Sequence, residues 1–138
     1  MHQRADTLEI KRDGPLEPVE VEELRAAVGW DACEGTYATV LKRHYAYYTV
    51  RARDGRLIGY MSILSDGIAD AFLLDLMVHP DFQEMRIGSR LVTRGIQDVK
   101  EAGIRCLQVT FDEKLREFYA RCGFHLFGGG IIDFHAMD

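Results

Sequence analysis

Asp70-Ala71-Phe72-Leu73-Leu74-Asp75-Leu76-Met77-Val78-His79-Pro80-Asp81-Phe82-Gln83-Glu84-Met85-Arg86-Ile87-Gly88-Ser89 is the stretch on which the fold turns. From Ala71 to Val78 it is apolar except for Asp75, the pattern of a strand covered on both faces deep in a sheet. His79-Pro80-Asp81 ends the strand, because proline has no amide to give to a ladder. Gln83 to Gly88 then turns into a helix expected to begin at Ser89. Ile87, Leu91, Val92, Ile96 and Val99 keep one helical face, and Gly103 closes it. Such a loop aims several N–H groups without intrahelical partners at one spot, where the helix dipole adds positive potential. That is a site for a phosphate or pyrophosphate. The same pattern also suits an ordinary strand–turn–helix connection, with Gly88 serving only the turn.

Downstream, Arg105 to Thr110 reads as a buried strand, parallel to the central one because a helix crosses between them. Asp112 is placed to cap a further helix carrying Leu115, Phe118, Tyr119 and Cys122 on one side, and Gly123 stops it. Phe124 to Phe127 and Ile131 to Phe134 read as a final hairpin across Gly128-Gly129-Gly130, a flexible turn. Upstream, Leu8 to Lys11 alternates like a short strand, and Arg12 to Pro15 is a turn. Pro18 suits a helix start, with Val21, Leu24 and Val28 on one face and Gly29 at its end. Thr36 to His44 fits a second short helix. Tyr45 to Arg53 and Leu57 to Leu64 read as strands joined by a two-residue turn at Asp54-Gly55, and Asp66-Gly67 leads on to the central strand. Three strands joined by tight turns make an antiparallel meander. Trp30 reads either as a core residue or as an aromatic wall of a cleft.

At 138 residues the chain is expected to be one domain, 1–138, and 47% hydrophobic residues suffice for one core. Seventeen basic residues are scattered among 22 acidic ones, for a net charge of −5, which argues against nucleic acid as the main ligand. An acidic surface suits a cationic substrate and equally suits plain solubility. Cys33, Cys106 and Cys122 are odd in number and lack C-x-x-C spacing, so neither zinc nor a disulfide framework is expected. Met1-His2-Gln3-Arg4 does not open a signal peptide, and no apolar run is long enough to span a membrane. The cytoplasm is the default expectation, with no metal and no membrane partner.

Asp75 to Leu91 resembles the acyl-CoA-binding motif of the GNAT (GCN5-related) N-acetyltransferases: an apolar strand ending in Val78-His79-Pro80, then Gln/Arg-x-x-Gly-x-Gly/Ala, then a helix. Gln83 and Gly88 match the first and last motif positions, whereas Arg86 stands where the family usually has glycine. Glu117-Phe118-Tyr119-Ala120-Arg121-Cys122-Gly123-Phe124 resembles the family's late "F-Y-x-x-x-G-F" segment. The two blocks occur in the expected order, and the likeness runs from about Leu57 onward. The resemblance implies a mixed α/β (α+β) fold: a central, mostly antiparallel sheet with one parallel strand pair, flanked by helices. It also implies transfer of an acetyl group from acetyl-CoA to a primary amine, by direct attack with both substrates bound. The acceptor would be a small-molecule or peptide amine, and family members are often homodimers. A non-catalytic acyl-CoA-binding sensor or regulatory module is the alternative; it would keep the loop but need neither Asp75 nor Tyr119. A P-loop nucleotide site is a poor match, since the loop lacks Gly-Lys-Ser/Thr.

The backbone of Gln83, Glu84, Met85, Arg86, Ile87, Gly88 and Ser89 is the expected cradle for the cofactor's pyrophosphate, with Gly88 permitting close approach. Arg86 either pairs with a phosphate or points to solvent. By resemblance, Leu76, Met77 and Val78 would offer backbone groups to the pantetheine arm and thioester, one amide serving as an oxyanion donor. Asp75, a lone carboxylate in an apolar strand, is the candidate base, since burial makes a carboxylate more basic; Glu84, His79 or a water chain compete with it. Its other reading is structural, as a partner for backbone or a tyrosine hydroxyl. Tyr119 matches the family tyrosine that would protonate the departing sulfur, and its helical spacing also suits a core aromatic.

Overall fold

The structure, a computed structural model, describes residues 8–135. It contains a five-stranded sheet in the order β1-β2-β3-β4-β5, with helices on both faces. The strands are β1 (Ile10–Arg12), β2 (Ala46–Arg51), β3 (Leu57–Ser65), β4 (Asp70–Val78) and β5 (Cys106–Val109). Neighbours run antiparallel except β4 and β5, which the crossover makes parallel. The mixed α/β fold, its meander and its parallel pair are therefore as the sequence implies.

α3 (Ile87–Glu101) lies on one face and buries Ile87, Leu91, Val92 and Val99 against Tyr48, Val50, Ile58, Met61, Ile63 and Leu73. Each such aliphatic side chain, fully buried, stabilises by about 1.5–3 kcal/mol. The helix starts two residues before the expected Ser89, since Ile87 is already needed in the core. At Gly95 it rides so close to the sheet that an added Cβ would stand 2.7 Å from Met61 Cε. α1 (Pro18–Ala27) and α2 (Tyr37–Arg43) cover the other face, where Val21, Leu24 and Tyr37 bury against Leu57, Tyr60 and Met77. Glu17 and Glu20 close a capping box at the start of α1, with Pro18 at its first position. Arg51 on β2 reaches Glu20 with two guanidinium nitrogens, at 2.5 and 2.9 Å, and ties α1 to the sheet.

Four readings are corrected. Ala52 and Arg56 close a three-residue loop, not a two-residue turn: Ala52 N donates to Arg56 O, Gly55 N to Ala52 O, and Gly55 takes the positive φ. β4 is not covered throughout, since Phe72 is 41% exposed opposite buried Ala71 and Leu73. β5 is an edge strand, half-buried rather than buried. The final hairpin does not form among the described residues: after α4 (Arg116–Arg121), residues 122–135 have no strand partner there, and Phe127, Ile131, Ile132 and Phe134 are exposed. Asp112 does cap, but it caps the short 3-10 turn Glu113–Leu115 that precedes α4.

Candidate active site

β4 and β5 pair only from Asp70–Cys106 to Leu73–Val109, so beyond Leu73 the two parallel strands part. The gap opens toward the start of α3. Val78 stands opposite Gly59, and His79 N donates to Ile58 O on the neighbouring pair. By the alternation of an antiparallel ladder, Met77 is bonded to β3, while the N–H and C=O of Val78 turn toward the gap. The backbone groups of Met77 are therefore taken up by the ladder, while those of Val78 face the gap. The Val78 carbonyl accepts from Gln83 Nε2 at 3.1 Å, so Gln83 folds its own loop back onto the strand end.

His79 caps a 3-10 turn, Pro80–Met85, its Nδ1 accepting from Asp81 N at 3.1 Å. Arg86 follows at φ 59, ψ 21, in the left-handed region, and the chain enters α3 at Ile87. The conformation explains why a glycine suits this position, and arginine holds it at a cost. The first-turn amides of α3 have no intrahelical acceptors and face the loop's exposed side, with Arg86 and Ser89 exposed. Gly88 has ordinary helical φ; a Cβ there would lie 3.6 Å from Phe118 Cζ and 3.7 Å from Val78 Cγ2. Val78, Gly88 and Phe118 thus meet at one place, joining the two sequence blocks. Arg86, Ser89, Arg90 and Arg94 line, with Ile10 of β1, a shallow groove of about 420 Å3 along α3, on the side away from β4 and β5.

Tyr119 is 4% exposed, with its ring 5.1 Å from that of Phe111, 5.0 Å from Phe118 and 5.8 Å from Phe124. Burial pushes its phenol up to about 12, so it keeps its proton at neutral pH. The packing is that of the core aromatic its helical spacing suggests.

Asp75 sits where the β3–β4 register slips. Tyr60 pairs with Met77 and Ser62 with Leu74, so Asp75 and Leu76 together face Met61 in a β-bulge, with Asp75 at φ 55. Its carboxylate meets the α1–α2 side of the sheet. Tyr37 Oη donates to Oδ2 at 2.5 Å, and Arg25 Nη1 approaches Oδ1 at 3.4 Å. Arg25 also donates to Tyr37 Oη at 2.9 Å and, through Nε, to Asp31 O at 2.7 Å. Its guanidinium lies 5.3 Å from the Trp30 ring centroid and 5.6 Å from that of Tyr37. Trp30, 42% exposed, is not a core residue. Burial and the Asp75 hydrogen bond both raise the Tyr37 pKa. Nearby, burial lowers the His44 pKa while Asp75 opposes it, and His44 Nδ1 and Tyr60 Oη are buried without hydrogen-bond partners among the described residues.

Arg25 and His44 escaped the sequence reading as site residues. Arg25 was legible: Val21, Leu24, Arg25 and Val28 fall on one helical stripe, so a charge there had to find a buried partner. His44 gave a similar signal, since Tyr37, Val40, Leu41 and His44 share one helical side, and the structure places it at the C-cap of α2. Glu84 is exposed in the loop, with no contact that joins it to Asp75.

The family model described as "Acetyltransferase (GNAT) family" matches residues 5–124. An uncharacterized N-acetyltransferase, ycf52, of Porphyra purpurea is 26% identical over 109 residues, 76% of this chain and 63% of its own. The histone acetyltransferase TAP1 of Glycine max is 26% identical over 129 residues, 86% of this chain and 56% of its own. The chain spans between 37% and 63% of the length of the curated relatives it matches. Among solved structures, a GNAT-family acetyltransferase of Streptococcus pneumoniae has a TM-score of 0.76 at 25% identity, over 92% of this chain and 98% of that one. YhbS of Escherichia coli, a GNAT-family N-acetyltransferase solved in complex with CoA, has a TM-score of 0.71 at 20% identity, over 86% and 69%, a likeness of fold.

Proposed function

The chain belongs to the GNAT acetyltransferase family, and on that footing we propose that it transfers an acetyl group from acetyl-CoA to a primary amine, both bound together. The observation that carries this reading is the meeting of Val78, Gly88 and Phe118 at the start of α3, beside the gap between β4 and β5. Backbone N–H groups at a helix N-terminus suit a pyrophosphate, and Arg86 and Arg90 add cationic side chains at its rim. The residues fit the group: the first-turn amides of α3 have no intrahelical acceptors, and the Val78 N–H turns toward the gap. The CoA complex of YhbS supports the same ligand class here.

Acetyl-CoA would supply the acetyl group as an activated thioester. The Val78 amide is placed to polarise a carbonyl in the gap. Asp75 is the carboxylate proposed to take the amine's proton. An alkylammonium otherwise keeps it, with a pKa near ~10. Tyr37 and Arg25 fix the orientation of Asp75, and the long 3.4 Å approach of Arg25 leaves Oδ1 the freer oxygen. Tyr119, held protonated, donates a hydrogen bond to the departing sulfur. At about 12 it is a weaker acid than a free thiol (about 8.5), so hydrogen bonding precedes any proton transfer.

Calorimetry with CoA and acetyl-CoA tests the first half, and thiol release across a panel of amines tests the second. Saturable binding with amine-dependent release is expected. Binding without release for any amine would favour the sensor module, and no binding at all would overturn both readings.

A further inference from the structure

Arg25 is a cation held from several sides and left open at one atom. Its Nε donates to Asp31 O, and its Nη1 serves both Tyr37 Oη and, at a long 3.4 Å, Asp75 Oδ1. The rings of Trp30 and Tyr37 lie beside its guanidinium carbon. Nη2 has no hydrogen bond among the described residues. The buried side-chain atoms left without a partner there are His44 Nδ1 and Tyr60 Oη, so Nη2 is in contact with solvent. A guanidinium fixed in this way points its remaining N–H groups in a set direction, and little freedom is lost when a ligand meets them.

Asp75 is in the same condition. Tyr37 occupies Oδ2, Oδ1 has only the long approach of Arg25, and the side chain is 26% exposed against 15% for Arg25. A pair serving the fold alone is best seated fork on fork, both oxygens on two N–H groups. Here the contact is single and long, and a tyrosine takes the second oxygen. One carboxylate oxygen and one guanidinium nitrogen therefore stand open beside each other, held by the β4 bulge and by α1.

We propose that the acceptor is a free amino acid, its ammonium on Asp75 Oδ1 and its carboxylate on Arg25 Nη2. This rests on the reading that Asp75 takes the amine's proton, and adds the substrate class. A polyamine would set positive charge against Arg25, an anion without an amine would meet Asp75, and a plain alkylamine would leave Nη2 unpaired once water is displaced. A zwitterion complements both charges. Nη1 and Nη2 share one carbon, so the open atoms are close together, a span that suits an amine and a carboxylate on the same or adjacent carbons. The Trp30 ring, beside the guanidinium and 42% exposed, offers a surface to the amino acid's side chain.

Asp75 takes one proton from the ammonium. The amine nitrogen then bonds to the acetyl carbon as the carbon–sulfur bond breaks. The nitrogen's second proton neutralises the departing thiolate, and Asp75 returns its own to solvent. The N-acetylamino acid and CoA leave, and the carboxylate stays on Arg25 throughout.

Matched acceptors test this on the full chain with acetyl-CoA, by thiol release. Alanine, leucine, phenylalanine and β-alanine are each compared with the amine lacking the carboxylate and with the carboxamide. The best amino acid should exceed both of its partners in kcat/KM by about tenfold or more. In Arg25→Gln that ratio should fall to near one, through KM for the amino acid; Arg25→Lys, which keeps the charge, should recover part of it. A ratio taken within one variant cancels any general loss from a disturbed Asp75, and the parent's ratios stand even if a variant fails to fold. Amines or carboxamides that equal the amino acids in the parent overturn the proposal, as does a preference that survives Arg25→Gln. If no amine releases thiol, the transfer reading has failed separately, and calorimetry of the same compounds with CoA present decides this one. Amino acids that bind where their decarboxylated amines do not support the Arg25 seat; equal or absent binding overturns it.

Discussion

Replacing Arg86 by glycine should stabilise the protein while weakening its hold on CoA. Arg86 sits at φ 59, ψ 21, and a left-handed conformation costs a residue with a Cβ about 1–2 kcal/mol. Glycine removes that strain but brings about 0.5–1 kcal/mol of extra chain entropy. The net gain is about 0.5–1 kcal/mol, or roughly 2–5 °C in melting temperature. Arg86→Ala keeps the strain and removes the guanidinium, so it serves as the control. Urea denaturation of the ligand-free proteins should rank glycine above arginine and alanine, with unchanged m-values. If the guanidinium meets a phosphate, both variants lose about 1 kcal/mol of CoA binding, roughly fivefold, and the loss shrinks as salt is added. Equal stability of the glycine and alanine variants would refute the strain argument. CoA affinity untouched in both would show that Arg86 points to solvent.

Gly88→Ala meets only ordinary contacts, at 3.6 and 3.7 Å, so the ligand-free protein should be as stable as the parent or slightly more so. Its affinity for CoA should nevertheless fall by tenfold or so if the ligand's pyrophosphate approaches there (~1.4 kcal/mol); unchanged calorimetric affinity would remove Gly88 from the site. Tyr119→Phe keeps the ring among Phe111, Phe118 and Phe124 and should slow turnover by about 10²–10⁴ without altering the KM for acetyl-CoA. Turnover within twofold of the parent would confine Tyr119 to packing. The Arg51 hydrogen bond, opposed by partial burial, holds the Glu20 carboxyl below its ordinary 4.5. The native state therefore binds fewer protons there than the unfolded chain. The ion pair's contribution is complete above about pH 4.5 and is lost as pH falls through the depressed native value. Glu20→Gln should lower stability at neutral pH and flatten the acid limb of a stability–pH curve; an unaltered limb would mean the pair is idle.

The order of elements, the parallel crossover and the turn into α3 were legible because each rests on local rules. Proline ended β4 after Val78, the 3.6-residue stripe from Ile87 to Val99 marked α3, and glycine turns marked the meander. What escaped was set by neighbours distant in the chain. No periodicity announces that β3 and β4 slip register at Asp75, yet that bulge turns the carboxylate toward Tyr37, 38 residues away, and Arg25, 50 away. Residue identity alone left Asp75 open as base or as structural partner; the fold supplied its hydroxyl and cationic contacts. The pairing of Met77 with Tyr60 leaves Val78 facing the gap, a choice that belongs to the ladder and not to either residue. The tail makes the same point in reverse. Ile131 to Phe134 has a strand's composition, but a strand exists only where an edge pairs with it, and among the described residues none does.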